Sequence, residues 1–229
     1  MSQKKKNSNY VTEKTVKAKE ERREADAATR KQKMTRIIVI ASVSIVLAAL
    51  LIVGICWISG AFDYHPVATA HVTIEIEGYG SLHVELYGND APETVKKFTS
   101  LANSGKFNGM EFHTFFKGLL YGGSTIADGG TNGIKGEFSE NGVENKISHK
   151  RGIISLSRGE KFNTGYDQFF IVTEDSPMLD GKYAAFGMVT SGMDIIDKII
   201  EDSEIGENGY IPYGKRPVIT SISSHEAHH

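Results

Sequence analysis

Residues 37–58 read IIVIASVSIVLAALLIVGICWI, 22 positions without a charged side chain. As a helix this run spans about 33 Å, at about 1.5 Å per residue, which matches the hydrocarbon layer of a bilayer. No core helix of a soluble protein needs this length with apolar residues on every side, so the run is predicted to cross a membrane. It also separates parts of opposite charge. Residues 1–36 hold 12 Lys+Arg and 5 Asp+Glu, whereas residues 61–229 hold 14 Lys+Arg and 23 Asp+Glu. With Arg36 at one end and Trp57 as an interfacial anchor near the other, the positive-inside bias predicts a cytoplasmic head and an extracytoplasmic body. A cleaved signal peptide is the competing reading, but its apolar core would run only about 7–15 residues. The A-x-A triplet Ala68-Thr69-Ala70 lies well beyond the run. Cys56 is the single cysteine. It excludes an intrachain disulfide, a cysteine-based zinc site and a CxxC redox motif. Ile55 precedes it where lipidation wants a small residue, so it reads as an apolar member of the span.

The head, Tyr10 to Arg36, is rich in Glu, Lys, Arg and Ala and is predicted to be helical without a heptad. It reads as a solvated topology determinant near anionic lipid. Residues 59–70, with Pro66, read as a stalk. From Val72 the apolar period becomes two: Val72, Ile74 and Ile76, then Leu82, Val84 and Leu86 after the turn at 78–80, predict a hairpin with one buried face. Asp90 is the expected cap of a helix with Pro92 in its first turn, Val95, Phe98, Leu101 and Ala102 on its apolar face, and Gly105 as its stop. Short apolar runs follow at 111–121, 152–157, 168–173, 184–189 and 217–222. A second helix is expected from Ser191, with Ile195, Ile196, Ile199 and Ile200 inward. Residues 124–151 lack periodicity and are expected to form a long surface loop. Many short strands, glycine turns and two helices predict a mainly β barrel or sandwich.

Several chemistries are absent. There is no G-x-S-x-G elbow and no phosphate loop. The acidic body argues against nucleic acid. The last five residues, HEAHH, match a zinc-protease pattern, but that pattern needs a rigid helix and a third ligand from elsewhere. Residues 224–229 therefore read as a polar tail, and no metal or cofactor is expected.

Residues 165–187, GYDQFFIVTEDSPMLDGKYAAFG, followed by MVTSGMDIIDKI, resemble the cyclophilin family of peptidyl-prolyl isomerases, which carry Q-F-F-I, L-D-G, F-G-x-V and G-M-D in this order. GEFSENGVENKISHKRGIISLSR at 136–158, Phe112-His113, and the hairpin with the helix after Ala91-Pro92 agree. The resemblance covers residues 71–223. It implies a closed eight-stranded barrel capped by two helices, with a groove for proline-containing polypeptides on its outer face. By position it implies that Phe170, Leu179, Tyr183, Met178, Leu119, Leu120 and Tyr121 line the peptide site. It also implies that Gln168 binds the peptide backbone, with His113 and position 114 on the catalytic side.

The reaction needs no nucleophile. Delocalisation of the nitrogen lone pair holds the C–N bond planar behind a barrier of about 18–20 kcal/mol. A catalyst grips the proline ring and donates to the nitrogen once twisting localises its lone pair. In the family the donor is the arginine of F-H-R. Here Thr114 occupies that position, and the following run GLLYGG is one residue short, with Tyr121 or a gap where the family has glutamine. Threonine cannot replace a guanidinium fork. Arg158 and Lys117 are the candidate substitutes, although each also reads as an ordinary solvated charge. His113 reads first as a structural histidine. The sequence thus predicts a single-pass, membrane-anchored prolyl isomerase acting on proteins that fold outside the membrane. Reduced activity is expected, and the alternative is a non-catalytic prolyl-peptide-binding chaperone or scaffold.

Overall fold

The computed structural model describes residues 2–58 and 64–226. The expected stalk residues 59–63, the tail residues 227–229 and the side chains of Cys56 and Trp57 lie outside the described part. The chain divides into two compact units, Met1–Asp63 and Tyr64–His229.

The first unit is one helix, α1 (Ser2–Ile58). The basic head and the apolar run are continuous in it, with no proline or cap to stop the helix between them. The stretch Ala25–Ile55 is long and apolar enough to cross a membrane, and none of its most apolar window is buried. Side chains such as Ile37, Leu47 and Leu51 stand more than half exposed.

The second unit is a curled eight-stranded sheet with two helices. In chain order its elements are β1 (Ala70–Ile76), β2 (Gly80–Leu86), α2 (Pro92–Asn103), β3 (Glu111–Phe116), β4 (Leu119–Gly123), β5 (Ile153–Leu156), β6 (Gln168–Val172), β7 (Ala184–Ser191), α3 (Met193–Asp202) and β8 (Ile219–Glu226). The strand order is β3-β4-β6-β5-β7-β2-β1-β8. The paired strands are antiparallel throughout.

The expected closed barrel is corrected here. The end strands β3 and β8 share no ladder. They meet through the bridge Glu111↔Val218 and a few backbone bonds, among them Gly109 N–H to Ile219 O at 2.8 Å and Phe112 N–H to Pro217 O at 2.9 Å. The sheet curls nearly round and is pinned at that seam.

The expected alternation holds in β1 and β2, where Val72, Ile74, Ile76, Leu82, Val84 and Leu86 are all buried. Helix α2 buries Val95, Phe98, Leu101 and Ala102 in the same core, and α3 adds Ile196 and Ile199. Two local expectations change. The cap of α2 is not Asp90: the Glu137 carboxylate accepts the backbone N–H of Glu93 at 2.9 Å and of Thr94 at 2.8 Å. An acid at a helix N-terminus does the same work from 44 residues away. Residues 124–151 are also not simply a surface loop, since Glu137, Phe138, Ile147 and His149 are buried.

At the C-terminal end, Ser224–Glu226 belong to β8 rather than to a tail. His225 and Glu226 are thus extended, which removes the helical spacing that a zinc pattern would need. His228 and His229 lie outside the described residues.

Candidate functional site

The register of the sheet assembles the site. Thr114 pairs with Tyr121, Tyr121 with Phe170, Phe170 with Ser155, and Ser155 with Ala185. Directly opposed residues share a face, so these five form one row across β3, β4, β6, β5 and β7 on the outside of the sheet. The neighbouring row, Phe112, Gly122, Phe169, Leu156 and Ala184, faces the barrel interior. A Cβ on Gly122 would lie 2.9 Å from the Phe112 ring and 3.1 Å from Phe169, so only glycine lets these two rings meet. They do so edge to face at 6.0 Å. Inner packing therefore fixes which side chains point out.

The hairpin carrying Thr114 and Tyr121 turns through Lys117-Gly118, with φ of 50° and 73°. Two successive positive φ values make the tight turn that matches strand twist. A bulge at His113, between Phe112 and Thr114, turns Thr114 outward.

Phe170 is the floor of the outer face, only 1% exposed. Tyr121 packs on it with ring centres 5.5 Å apart, and Tyr183 meets it edge-on at 5.5 Å. Leu119, Ile147, Ile153 and Val172 belong to the same apolar cluster, and Leu179 packs against it. A ligand arriving from solvent would touch Tyr121, Leu179 and Tyr183, which are half-buried, rather than Phe170 itself.

Two sequence-expected residues are not brought to this cluster. Leu120 is fully buried in the interior core, because the strand alternates and its neighbours Leu119 and Tyr121 point out. Met178 stands 73% exposed on the short helical turn Pro177–Leu179, at the rim.

Beneath the floor is a polar support that sequence reading missed. The His149 ring stacks on Phe170 at 6.2 Å. Its Nδ1 lies 2.8 Å from Asp180 Oδ1, its Nε2 lies 3.1 Å from Ser155 Oγ, and its backbone N–H donates to the same Asp180 oxygen at 2.7 Å. Burial pulls its pKa below the ordinary 6.5, against the opposing pull of Asp180. The available signal was Asp180 within the L-D-G word.

Beside Tyr121 lies an open cavity of about 280 Å³, lined by His113, Thr114, Tyr121, Gln168, Phe116 and Tyr210, among others. Gln168 is clamped: its Nε2 donates to Ser124 O at 2.6 Å and its Oε1 accepts from Ser157 Oγ at 2.6 Å. One amide N–H is left over.

His113 settles the chemistry of Thr114. Its Nε2 lies 3.0 Å from the Ser124 carbonyl, which only accepts, so Nε2 carries the proton. Burial, with help from the Arg216 charge and against the opposing pull of the Ser124 hydrogen bond and Glu111, lowers its pKa from 6.5, so the ring is mainly neutral at pH 7 and above. Nδ1 is then a lone pair, and the Thr114 hydroxyl, 2.8 Å away, donates its proton to it. Toward the cavity Thr114 offers only acceptor character.

The two cationic substitutes are also placed. Arg158 Nε donates to Lys182 O at 3.1 Å and Nη1 to Gly159 O at 3.0 Å, while the guanidinium lies over the rings of Tyr183, Phe138 and Phe162. Lys117 Nζ lies over Phe116 at 5.1 Å.

Residues 71–222 match the family profile for cyclophilin type peptidyl-prolyl cis-trans isomerase/CLD. The chain belongs to the cyclophilin family. Its cyclophilin domain is 37% identical over 133 residues to a peptidyl-prolyl cis-trans isomerase of Helicobacter pylori, covering 57% of this chain and 80% of that one. It is 38% identical over 123 residues to a peptidyl-prolyl cis-trans isomerase-like 1 of Emericella nidulans, covering 52% and 75%. Among solved structures, a Cryptosporidium parvum cyclophilin crystallised in the presence of the dipeptide Ala-Pro superposes with a TM-score of 0.59 at 25% identity, covering 69% of this chain and 99% of that one. The resemblance read from the short words is thereby confirmed at the level of family and fold.

Proposed function

We propose that this cyclophilin domain isomerises X-Pro bonds of polypeptides outside a membrane, anchored by the apolar part of α1 with the basic head on the cytoplasmic side. The observation that carries the catalytic part is the row Thr114, Tyr121, Phe170 on one face of three adjacent strands. It sets an apolar seat beside a polar cavity. In this reading the proline ring rests on Tyr121, Leu179 and Tyr183 above Phe170, with Leu119 and Met178 at its margins. The free N–H of Gln168 holds the peptide backbone. His113 is structural: it positions Gln168 and Thr114 through Ser124 O and Thr114 Oγ1. Without a guanidinium at position 114 the turnover is lower than an arginine would give.

A second reading, a non-catalytic prolyl-peptide chaperone or scaffold, is favoured by one observation: the Thr114 proton is already spent on His113. A proline-limited refolding assay with the full chain in detergent separates the two. Acceleration of the slow phase at substoichiometric concentration supports the enzyme. Suppression of aggregation that needs stoichiometric amounts, with no change in the slow phase, supports the binder.

The membrane part rests on the uncharged run and the charge difference across it. Protease added outside intact or wall-stripped cells is expected to release the body and spare the head. Protection of residues 71–222 would reverse the topology.

A further inference from the structure

We infer that the Tyr121 hydroxyl is the hydrogen-bond donor to the twisted amide nitrogen, standing in for the guanidinium absent at position 114. This inference rests on the isomerase reading above.

Placement comes first. Tyr121 is opposite Thr114 on one side and Phe170 on the other. Cβ atoms of directly opposed residues lie about 4.5–5.5 Å apart. Tyr121 therefore borders both the apolar seat and the position from which a donor must act. Among the described residues it alone belongs both to the Phe170 cluster and to the lining of the cavity.

Availability comes second. Among the described residues the Tyr121 hydroxyl has no hydrogen-bond partner, and it is not sealed from solvent. Its proton is free for a ligand. The other donors are committed, assigned elsewhere or exposed to water, and the remaining Gln168 N–H is the one that holds the peptide backbone in the reading above. Thr114 donates to His113, and His113 Nε2 donates to Ser124 O. Arg158 is held by backbone carbonyls and stacked on Tyr183. Asn208, Thr125 and Tyr210 also line the cavity but are exposed, so water competes for their donors.

Chemistry comes third. Burial, with a smaller push from Tyr183, raises the Tyr121 pKa to about 12, so the phenol keeps its proton at any physiological pH. A phenol is a better donor than an aliphatic hydroxyl, and beside the apolar seat its hydrogen bond is screened less than in water. In planar X-Pro the nitrogen lone pair is delocalised and accepts poorly. As the C–N bond twists, the lone pair localises and accepts from Tyr121 O–H. When planarity returns in the other isomer the hydrogen bond is released. No proton is transferred, and no bond other than that hydrogen bond forms or breaks. The interaction exists mainly in the transition state, which is the condition for raising turnover rather than affinity.

The test is Tyr121→Phe in the full chain in detergent, with exchange NMR on an Ala-Pro-containing tetrapeptide. The phenyl ring keeps the packing on Phe170, and an unchanged melting temperature checks it. Turnover is expected to fall about 10²-fold, the usual loss for one positioned donor, with peptide affinity changed less than about twofold. Adding Thr114→Arg is expected to raise turnover by a larger factor in the Tyr121→Phe background than in the wild type, because both donors serve one nitrogen. Wild-type turnover in Tyr121→Phe, or equal losses of turnover and affinity, overturns the inference and leaves the isomerase reading standing. A wild type that binds the peptide without accelerating exchange overturns both.

Discussion

The two flanks of Tyr121 are built on different principles. On the Phe170 side the floor is held from several directions: Phe170 is touched by Tyr121, Tyr183 and His149, and His149 is tied to Asp180 and Ser155. On the Thr114 side the strand is an end strand of the sheet, and the side chain borders an open cavity. Packing dictates residue type on the first flank, because a change there opens a void or strands a polar group. On the second flank the residue is held by fewer contacts, chiefly the Thr114 hydroxyl on His113 Nδ1, and it borders open space. In the proposed reading, binding and catalysis fall on opposite sides of one tyrosine.

The sharpest way to break the comparison is at the floor. Phe170→Ala is expected to lower stability by about 3–5 kcal/mol, the range for truncating a fully buried phenylalanine. Urea denaturation reads this directly. A loss below about 1 kcal/mol would mean that the ring is not part of the packed flank.

Next is the polar support. Asp180→Ala leaves the backbone N–H of His149 and its Nδ1 without their acceptor, and is expected to cost about 1–3 kcal/mol. Asp180→Asn keeps one oxygen in place and is expected to lose less. Equal losses in the two variants would remove the hydrogen-bonding role.

A pH dependence follows from the two histidines. Both His113 and His149 are held below the ordinary value of 6.5, chiefly by burial. The unfolded chain therefore binds protons more readily than the folded one, and stability rises with pH across this range. Their contribution is complete above about pH 6.5 and is lost as pH falls from there toward the lowered folded values. Melting temperature should decline from pH 7.5 to pH 5.5, and His149→Asn should flatten that slope. A flat wild-type profile would show that neither ring resists protonation.

The smallest expected effect belongs to Arg158. Its guanidinium is committed to carbonyls and to the Tyr183 ring, so Arg158→Lys is expected to change turnover less than about threefold, read by exchange NMR. A hundredfold loss would move the donor role from the Tyr121 hydroxyl to Arg158.

Much of this arrangement was legible in the sequence. The alternation in 72–86, the helix after Pro92 and the glycine at 105 were local patterns and became β1, β2 and α2 where expected. Phe170 and Leu179, singled out from short ordered words, do meet in one apolar cluster. Long-range partnerships were not legible: the Glu137 cap on α2 and the His149–Asp180 pair join residues 44 and 31 positions apart. The facing of Leu120 was misread because a run of two leucines and a tyrosine does not state its register; the ladder does, and it turns Leu120 inward. The commitment of the Thr114 proton was likewise invisible, since it depends on which nitrogen of His113 meets the Ser124 carbonyl.

The separation of seat and donor is tested most directly by measuring X-Pro exchange and peptide affinity together, for wild type and Thr114→Arg in the full chain. Wild type is expected to accelerate exchange clearly above the spontaneous rate. Thr114→Arg is expected to raise turnover about tenfold, or about 1.4 kcal/mol of barrier, while affinity stays within about twofold. A variant that tightens binding tenfold without faster exchange would contradict the assignment of catalysis to the Thr114 flank.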